Sequence, residues 1–167
     1  MKNKNFYFFL SVLLIVAFFT NSCKKEKQNY IPTLFATGTW QLSSILESKY
    51  LGDSRLSLDT LQCDTTQFFT FNKDDMTCTY TNFDCIDQQA KGTWQLSDTR
   101  LFLQADMTVM DTTKAGTSKP FLNARIINVG EYSLVLEAGD IQTYYTATDR
   151  RTIRRYGFVR IKPVIAN

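Results

Sequence analysis

Gly38-Thr39-Trp40-Gln41-Leu42-Ser43-Ser44-Ile45-Leu46-Glu47 decides the fold. Its first half alternates strictly, with Trp40, Leu42 and Ser44 on one face and Thr39, Gln41 and Ser43 on the other. Period two with turn residues at the margins is the pattern of a half-buried β-strand. The first six residues return verbatim as Gly92-Thr93-Trp94-Gln95-Leu96-Ser97. Two copies are too few for a solenoid. They are either a duplicated half-barrel or a chance reuse of one strand-start solution.

The same period runs outward from this stretch. Residues 67–72 and 76–82 flank the polar turn Lys73-Asp74-Asp75, and 91–97 and 100–105 flank Asp98-Thr99. Residues 121–128, 131–137, 141–148 and 152–161 complete the set, with Gly130 and Ala138-Gly139-Asp140 as turn punctuation. Residues 107–120 are polar and read as the one long loop, whereas 51–61 are either an irregular strand or a capping turn. No stretch of the domain carries helical periodicity. About nine short strands at hairpin spacing predict an all-β fold, and a closed barrel rather than an open sheet because closure removes exposed edges.

The N-terminus is of another kind. Lys2 and Lys4 precede an almost unbroken apolar run from Phe6 to Phe19, shorter than the ~20 residues of a bilayer-spanning helix. Thr20-Asn21-Ser22-Cys23 follows at once. The short apolar run reads as an export signal, and Thr20-Asn21-Ser22-Cys23 resembles the lipobox of bacterial lipoproteins, which implies that residues 1–22 are cleaved and that Cys23 is the lipid attachment site. Residues 23–35 are expected to be a flexible tether and residues 36–167 a single domain. The 19 Lys and Arg against 16 Asp and Glu become 17 against 16 once Lys2 and Lys4 leave with the signal. A near-neutral exported chain does not suggest nucleic acid as a partner.

The chain has no histidine, which removes Ser-His-Asp and Cys-His activation and His-ligated metal sites. There is no phosphate-binding glycine loop and no EF-hand spacing. Asp74-Asp75, and Asp84 with Asp87, are the close acidic pairs, and the first sits where a hairpin turn favours Asp for backbone reasons. No enzyme, metal or cofactor is expected. Arg150, Arg151, Arg154 and Arg155 are the densest charge feature. They form either a solvated strand face or a contact for an anion or a partner.

The cysteines are the most specific signal. Export favours disulfides, and a lipidated Cys23 leaves Cys63, Cys78 and Cys85. Cys63 and Cys85 are equidistant from Asp74, 11 residues each way, so an antiparallel hairpin places them opposite each other at disulfide range. In that register Cys78 faces Thr70 and stays a free thiol.

Taken in order, Gly38-Thr39-Trp40, Cys63, Phe69-Thr70-Phe71-Asn72-Lys73-Asp74-Asp75, Cys85 and Gly92-Thr93-Trp94 with Leu101 and Leu103 resemble the lipocalin-like domains of Bacteroidota lipoproteins. The likeness spans about residues 36–137. Gly38-Thr39-Trp40 is similar to the lipocalin G-x-W motif, which implies that Trp40 plugs one end of a barrel of 8–10 strands; Trp94 is expected in the core with it. The family stacks a late arginine on that tryptophan, and Arg155 and Arg160 are the candidates. Lys24, directly after Cys23, resembles the residue of an outer-membrane lipoprotein, since an Asp there implies inner-membrane retention. The absence of an acidic run in the spacer favours the periplasmic face. The function expected is binding of a small apolar or amphipathic molecule in the barrel, with membrane attachment through the N-terminal lipid. The alternative is a solid-cored barrel that acts as an interaction or inhibitor module on an envelope protein.

Overall fold

The computed structural model describes residues 30–111, 116–141 and 144–161. The stretch expected to be an export signal, and Cys23, lie outside the described residues. The described chain runs as helix α1 (Ile31–Ala36), strands β1 (Thr39–Leu51), β2 (Ser54–Leu61), β3 (Phe68–Phe71) and β4 (Thr77–Thr81), and a single 3-10 turn (Phe83–Cys85). It continues as β5 (Gln89–Leu96), β6 (Phe102–Met107), β7 (Val109–Asp111), β8 (Gly116–Ser118), β9 (Ala124–Val129), β10 (Ser133–Gly139) and β11 (Arg150–Ile161).

Eight strands close a barrel in the order β1-β3-β4-β5-β6-β9-β10-β11, with β11 returning to β1. Each pairing around the barrel is antiparallel. β1 is long enough to serve two partners: β3 pairs with its first residues, Thr39 to Gln41, and β2 with its far half, Ile45 to Leu51. β7 and β8 form a separate hairpin.

One end of the barrel is closed. α1 lies across it, with Phe35 fully buried and its ring 5.2 Å from Phe71 and 5.8 Å from Trp94. Six residues are too few for a helix that holds itself together; the buried Phe35 ring holds this one. Pro32 sits in the first turn, where its missing N–H costs nothing. The folded domain therefore begins before residue 36, and the stretch expected as tether is shortened by the helix.

Above Phe35 the interior is filled with rings. Trp40, Phe69, Tyr80, Phe83, Trp94, Phe121, Tyr156 and Phe158 are all buried. Phe121 enters from the segment between β8 and β9 and stacks on Tyr80 at 5.5 Å. Its carbonyl accepts the Ala105 N–H, which carries the β6 ladder past the short β9 pairing.

Several expectations change here. The described residues of the stretch 141–148, Ile141 and 144–148, are not in a strand: Tyr144 is 91% exposed, and Asp149 caps the Thr146 N–H in a turn. Tyr144-Tyr145 therefore does not place rings on two sheet faces. The polar loop 107–120 contains the β7–β8 hairpin, pinned by buried Val109 and Asp111. Of the stretch 51–61, Leu51 ends β1, Gly52 and Asp53 make the turn, and Ser54–Leu61 is strand β2.

The repeated hexapeptide is not a duplicated half-barrel. Trp40 is near the start of β1, but Trp94 is near the end of β5, the fourth strand around the barrel and antiparallel to β1. The two tryptophans reach the same closed end from opposite directions. Their glycines also differ in role. Gly38 takes φ +85° before β1, whereas a side chain at Gly92 would strike the Asp106 carbonyl of β6.

Candidate functional site

The site is built from the inward residues of β1 and β11. Their register pairs Trp40 with Arg160, Leu42 with Phe158, Ile45 with Tyr156, Glu47 with Arg154 and Lys49 with Thr152. A β-bulge between Leu42 and Ser44 shifts the parity, so that Ile45 and Glu47, rather than Ser44, follow Trp40 and Leu42 inward. Read upward from the closed end, this stripe passes from aromatic to charged.

At the bottom, the Trp40 indole N–H donates to the Phe35 carbonyl at 2.9 Å, and the Trp94 indole N–H to the Asn72 carbonyl at 2.8 Å. The Arg160 guanidinium lies 4.3 Å from the Trp40 ring centroid and donates to the carbonyls of Leu34 and Gly130. Arg160, not Arg155, is therefore the stacking arginine.

At the top, the aromatic fill stops at Tyr156, and a cavity of about 740 Å³ opens at the barrel mouth. Glu47, Arg154 and Tyr156 line its inner side, and Pro120, Leu122 and Ile141 give it apolar wall. Arg154 Nε donates to Glu47 Oε2 at 2.7 Å, and Lys49 Nζ lies 3.4 Å from Glu47 Oε1. Burial alone would raise the Glu47 carboxyl; Arg154 and Lys49 outweigh it and hold the group below its ordinary value. Burial pushes the Tyr156 phenol up to about 12, with Arg154 opposing and Asp111 and Asp84 adding to the rise. Asp111 is itself buried and accepts from Ser118 Oγ at 2.7 Å. The mouth thus offers fixed charges and hydrogen-bonding groups beside apolar wall.

The arginine cluster does not form one surface. Strand alternation sends Arg154 inward to Glu47 and Arg155 outward to Glu137, where Arg155 Nη2 donates to Oε1 at 2.6 Å. Arg151 lies 3.4 Å from the Tyr145 ring centroid and 5.2 Å from that of Tyr50. Arg150 is exposed. Their use as a joint anion or partner contact therefore loses its geometry, and only Arg154 reaches the cavity.

The bridge Cys63–Cys85 is present, with Cα atoms 5.6 Å apart, and Cys78 is free and buried. It closes the mouth-side connections β2–β3 and β4–β5. The hairpin register behind the expectation was one residue off, since Cys78 faces Phe71 and not Thr70. The ladder ends at Phe68 and Thr81, and both bridged cysteines lie in irregular chain beyond it. Asp74 and Asp75 shape the β3–β4 turn: Asp75 accepts the Thr77 N–H and hydroxyl. Asp84 stands in the 3-10 turn at φ +54°. Among the described residues no group of three or more acids or cysteines is placed to hold a metal ion.

Sequence reasoning missed Glu47, Asp111 and Tyr156. Glu47 was in the opening stretch, and the bulge hid the direction it faces.

A closed, eight-stranded antiparallel barrel plugged by a tryptophan under a stacked arginine, and open at the other end, is a lipocalin-type binding barrel. The family model of the lipocalin-like domain matches residues 37–153, and the chain belongs to that family, whose members generally bind ligands rather than catalyse reactions. A search of curated protein sequences returns no match.

Proposed function

We propose that this protein is a lipid-anchored binding protein of the bacterial cell envelope that holds a small amphipathic molecule in the barrel mouth. The observation that carries the reading is the cavity of about 740 Å³ above a filled core, apolar on one wall and charged beside Tyr156. That volume is within the range of small-molecule sites. The aromatic fill below Tyr156 favours an amphipathic ligand over a wholly apolar one, because apolar surface and fixed charge are presented together. The lipid anchor rests on the short apolar run ending at Cys23, and the outer-membrane, periplasm-facing placement on Lys24 and the spacer composition.

The test is native mass spectrometry of the protein purified from its own host, beside the variant Ala138→Phe, which puts a ring into the cavity wall. A small molecule bound to the wild type and depleted, or replaced by a shorter one, in the variant is the expected result. Two apo proteins with equal affinity for a protein partner would favour the interaction-module reading, for which the exposed Leu56 and Leu58 of β2 are the surface.

A further inference from the structure

The strand directions place the ends of the barrel with respect to the chain's N-terminus. α1 lies on the closed end, through Phe35 under Trp40, Arg160 on the Leu34 carbonyl and Lys73 Nζ on Thr33 Oγ1 at 3.2 Å. The turns β3–β4, β5–β6 and β9–β10 are at this end as well, and the β1–β2 turn, the disulfide and the cavity are at the other.

We infer that the closed end is the surface that meets the bilayer holding the anchor, so that the mouth opens away from that bilayer and exchanges its ligand with the aqueous phase. This rests on the lipid-anchored reading above. From Cys23 to Tyr30 there are seven Cα steps, which span at most about 25 Å whatever their conformation. The rim at Leu51 is 11 residues along β1 from Trp40. That is about 36 Å of strand, or about 28 Å of height at a barrel tilt near 40°. The spacer is too short for the barrel to stand inverted with its mouth on the membrane.

The closed end also has the chemistry of a bilayer contact. Leu101 is 58% exposed at the β5–β6 turn and Tyr132 53% exposed at the β9–β10 turn. Tyrosine favours the headgroup boundary. Lys24, Lys25 and Lys27 against Glu26 leave the spacer with a net positive charge, which anionic headgroups attract. Leu56 and Leu58 on β2 are the competing apolar pair; they flank the open half of β1 and would meet lipid only with the barrel on its side.

The test uses the full lipidated chain on vesicles of phosphatidylethanolamine and phosphatidylglycerol with brominated acyl chains. An environment-sensitive fluorophore is placed singly at Leu101→Cys, Tyr132→Cys, Leu56→Cys or Tyr144→Cys, in a Cys78→Ala background. All four sites are exposed, so that each pair backs up the other if one variant folds poorly. Loss of emission at Leu101 and Tyr132 with none at Leu56 and Tyr144 is the expected result. A chain that floats with the vesicles but is quenched equally at both ends, or more at the open end, overturns the orientation alone. A chain that does not float overturns the anchor and the orientation with it.

Discussion

At the scale of single residues, the pair Glu47–Arg154 decides what the mouth can hold. It is half-buried, and the Arg154 side chain answers the charge of a carboxylate that water reaches poorly. Removing one partner leaves the other without its closest compensation, which is worse than removing both. Arg154→Ala is expected to cost about 2–3 kcal/mol in urea unfolding, short of the full value for a buried pair because Lys49 remains. The double variant Glu47→Gln/Arg154→Met should recover part of that loss. Glu47 also sets an acid limit. Its carboxyl is held below its ordinary value of 4.5 in the fold, so its ionisation stabilises the protein above that pH. The contribution fades as pH falls through the lower folded value. The stability gap between wild type and Glu47→Gln, measured by unfolding at a series of pH values, should therefore be constant near neutrality and close below about pH 4.5. A gap that widens on acidification would mean that the carboxyl is raised. Arg160 shows the limit of reading at this scale. The G-x-W stretch made a stacking arginine legible, but residues 155 and 160 fall on opposite strand faces, and only the β1–β11 register through the bulge says which face looks inward. Arg160→Lys keeps the charge and loses the planar guanidinium that stacks on Trp40 while its Nη2 donates to the Leu34 and Gly130 carbonyls. A loss of about 1–2 kcal/mol is expected for it, with a red-shifted tryptophan emission.

At the scale of elements, what was legible followed from whether local chemistry or distant packing fixes the segment. β3 and β4 carry their own turn residues and alternate cleanly, and they stand close to where the sequence puts them. The disulfide was legible as a pair because the export expected from the N-terminal segment and the symmetry about Asp74 both pointed to it. Its register was not, because the β3–β4 turn, with Met76 at φ +54°, centres the ladder between Asp74 and Asp75 rather than on Asp74; the cysteines still meet because the ladder gives way to irregular chain with positive φ at Asn82, Asp84 and Cys85. α1, the β7–β8 hairpin and the turn at 144–149 were missed for one reason: each is held by contacts remote in sequence. Phe35 docks on Trp94, the Met110 backbone on the Gln88 side chain, and Tyr145 on Asp53 and Arg151. The bridge closes a span of 22 residues, which in the chain-entropy treatment is worth about 3 kcal/mol. Cys63→Ala/Cys85→Ala should lower unfolding stability by that amount. Non-reducing peptide mapping of the wild type should recover Cys63 joined to Cys85. Cys78 should resist alkylation until the protein is unfolded, since burial, with Asp106 nearby, pushes its thiol up to about 12. Rapid labelling of Cys78 in the native protein would mean that the closed end is not packed as described.

At the scale of the whole molecule, the barrel is graded along its axis: a dry aromatic plug at one end, a charged and partly apolar mouth at the other. That gradient was not visible in composition, because the residues that make it are spread over β1, β7, β8, β10 and β11 and converge only on closure. It limits the ligand in a measurable way. An amphiphile with its polar group at Glu47 and Arg154 has apolar wall at Leu122 and Ile141 beside it, and below it Tyr156 and Phe121, which leave no channel through the core. Each methylene that still finds wall should add about 0.8 kcal/mol of affinity. Once the tail has covered that wall, the next methylene stays in water and adds almost nothing. A homologous series of single-chain amphiphiles, titrated by calorimetry, is therefore expected to rise in affinity with chain length and then level off. Ala138→Phe should shift the plateau to shorter chains without changing the slope before it, because it removes volume and leaves the polar contacts in place. Affinity that keeps climbing through long acyl chains would require a tail buried deeper than the mouth, and the aromatic core below Tyr156 would then have to open to admit it.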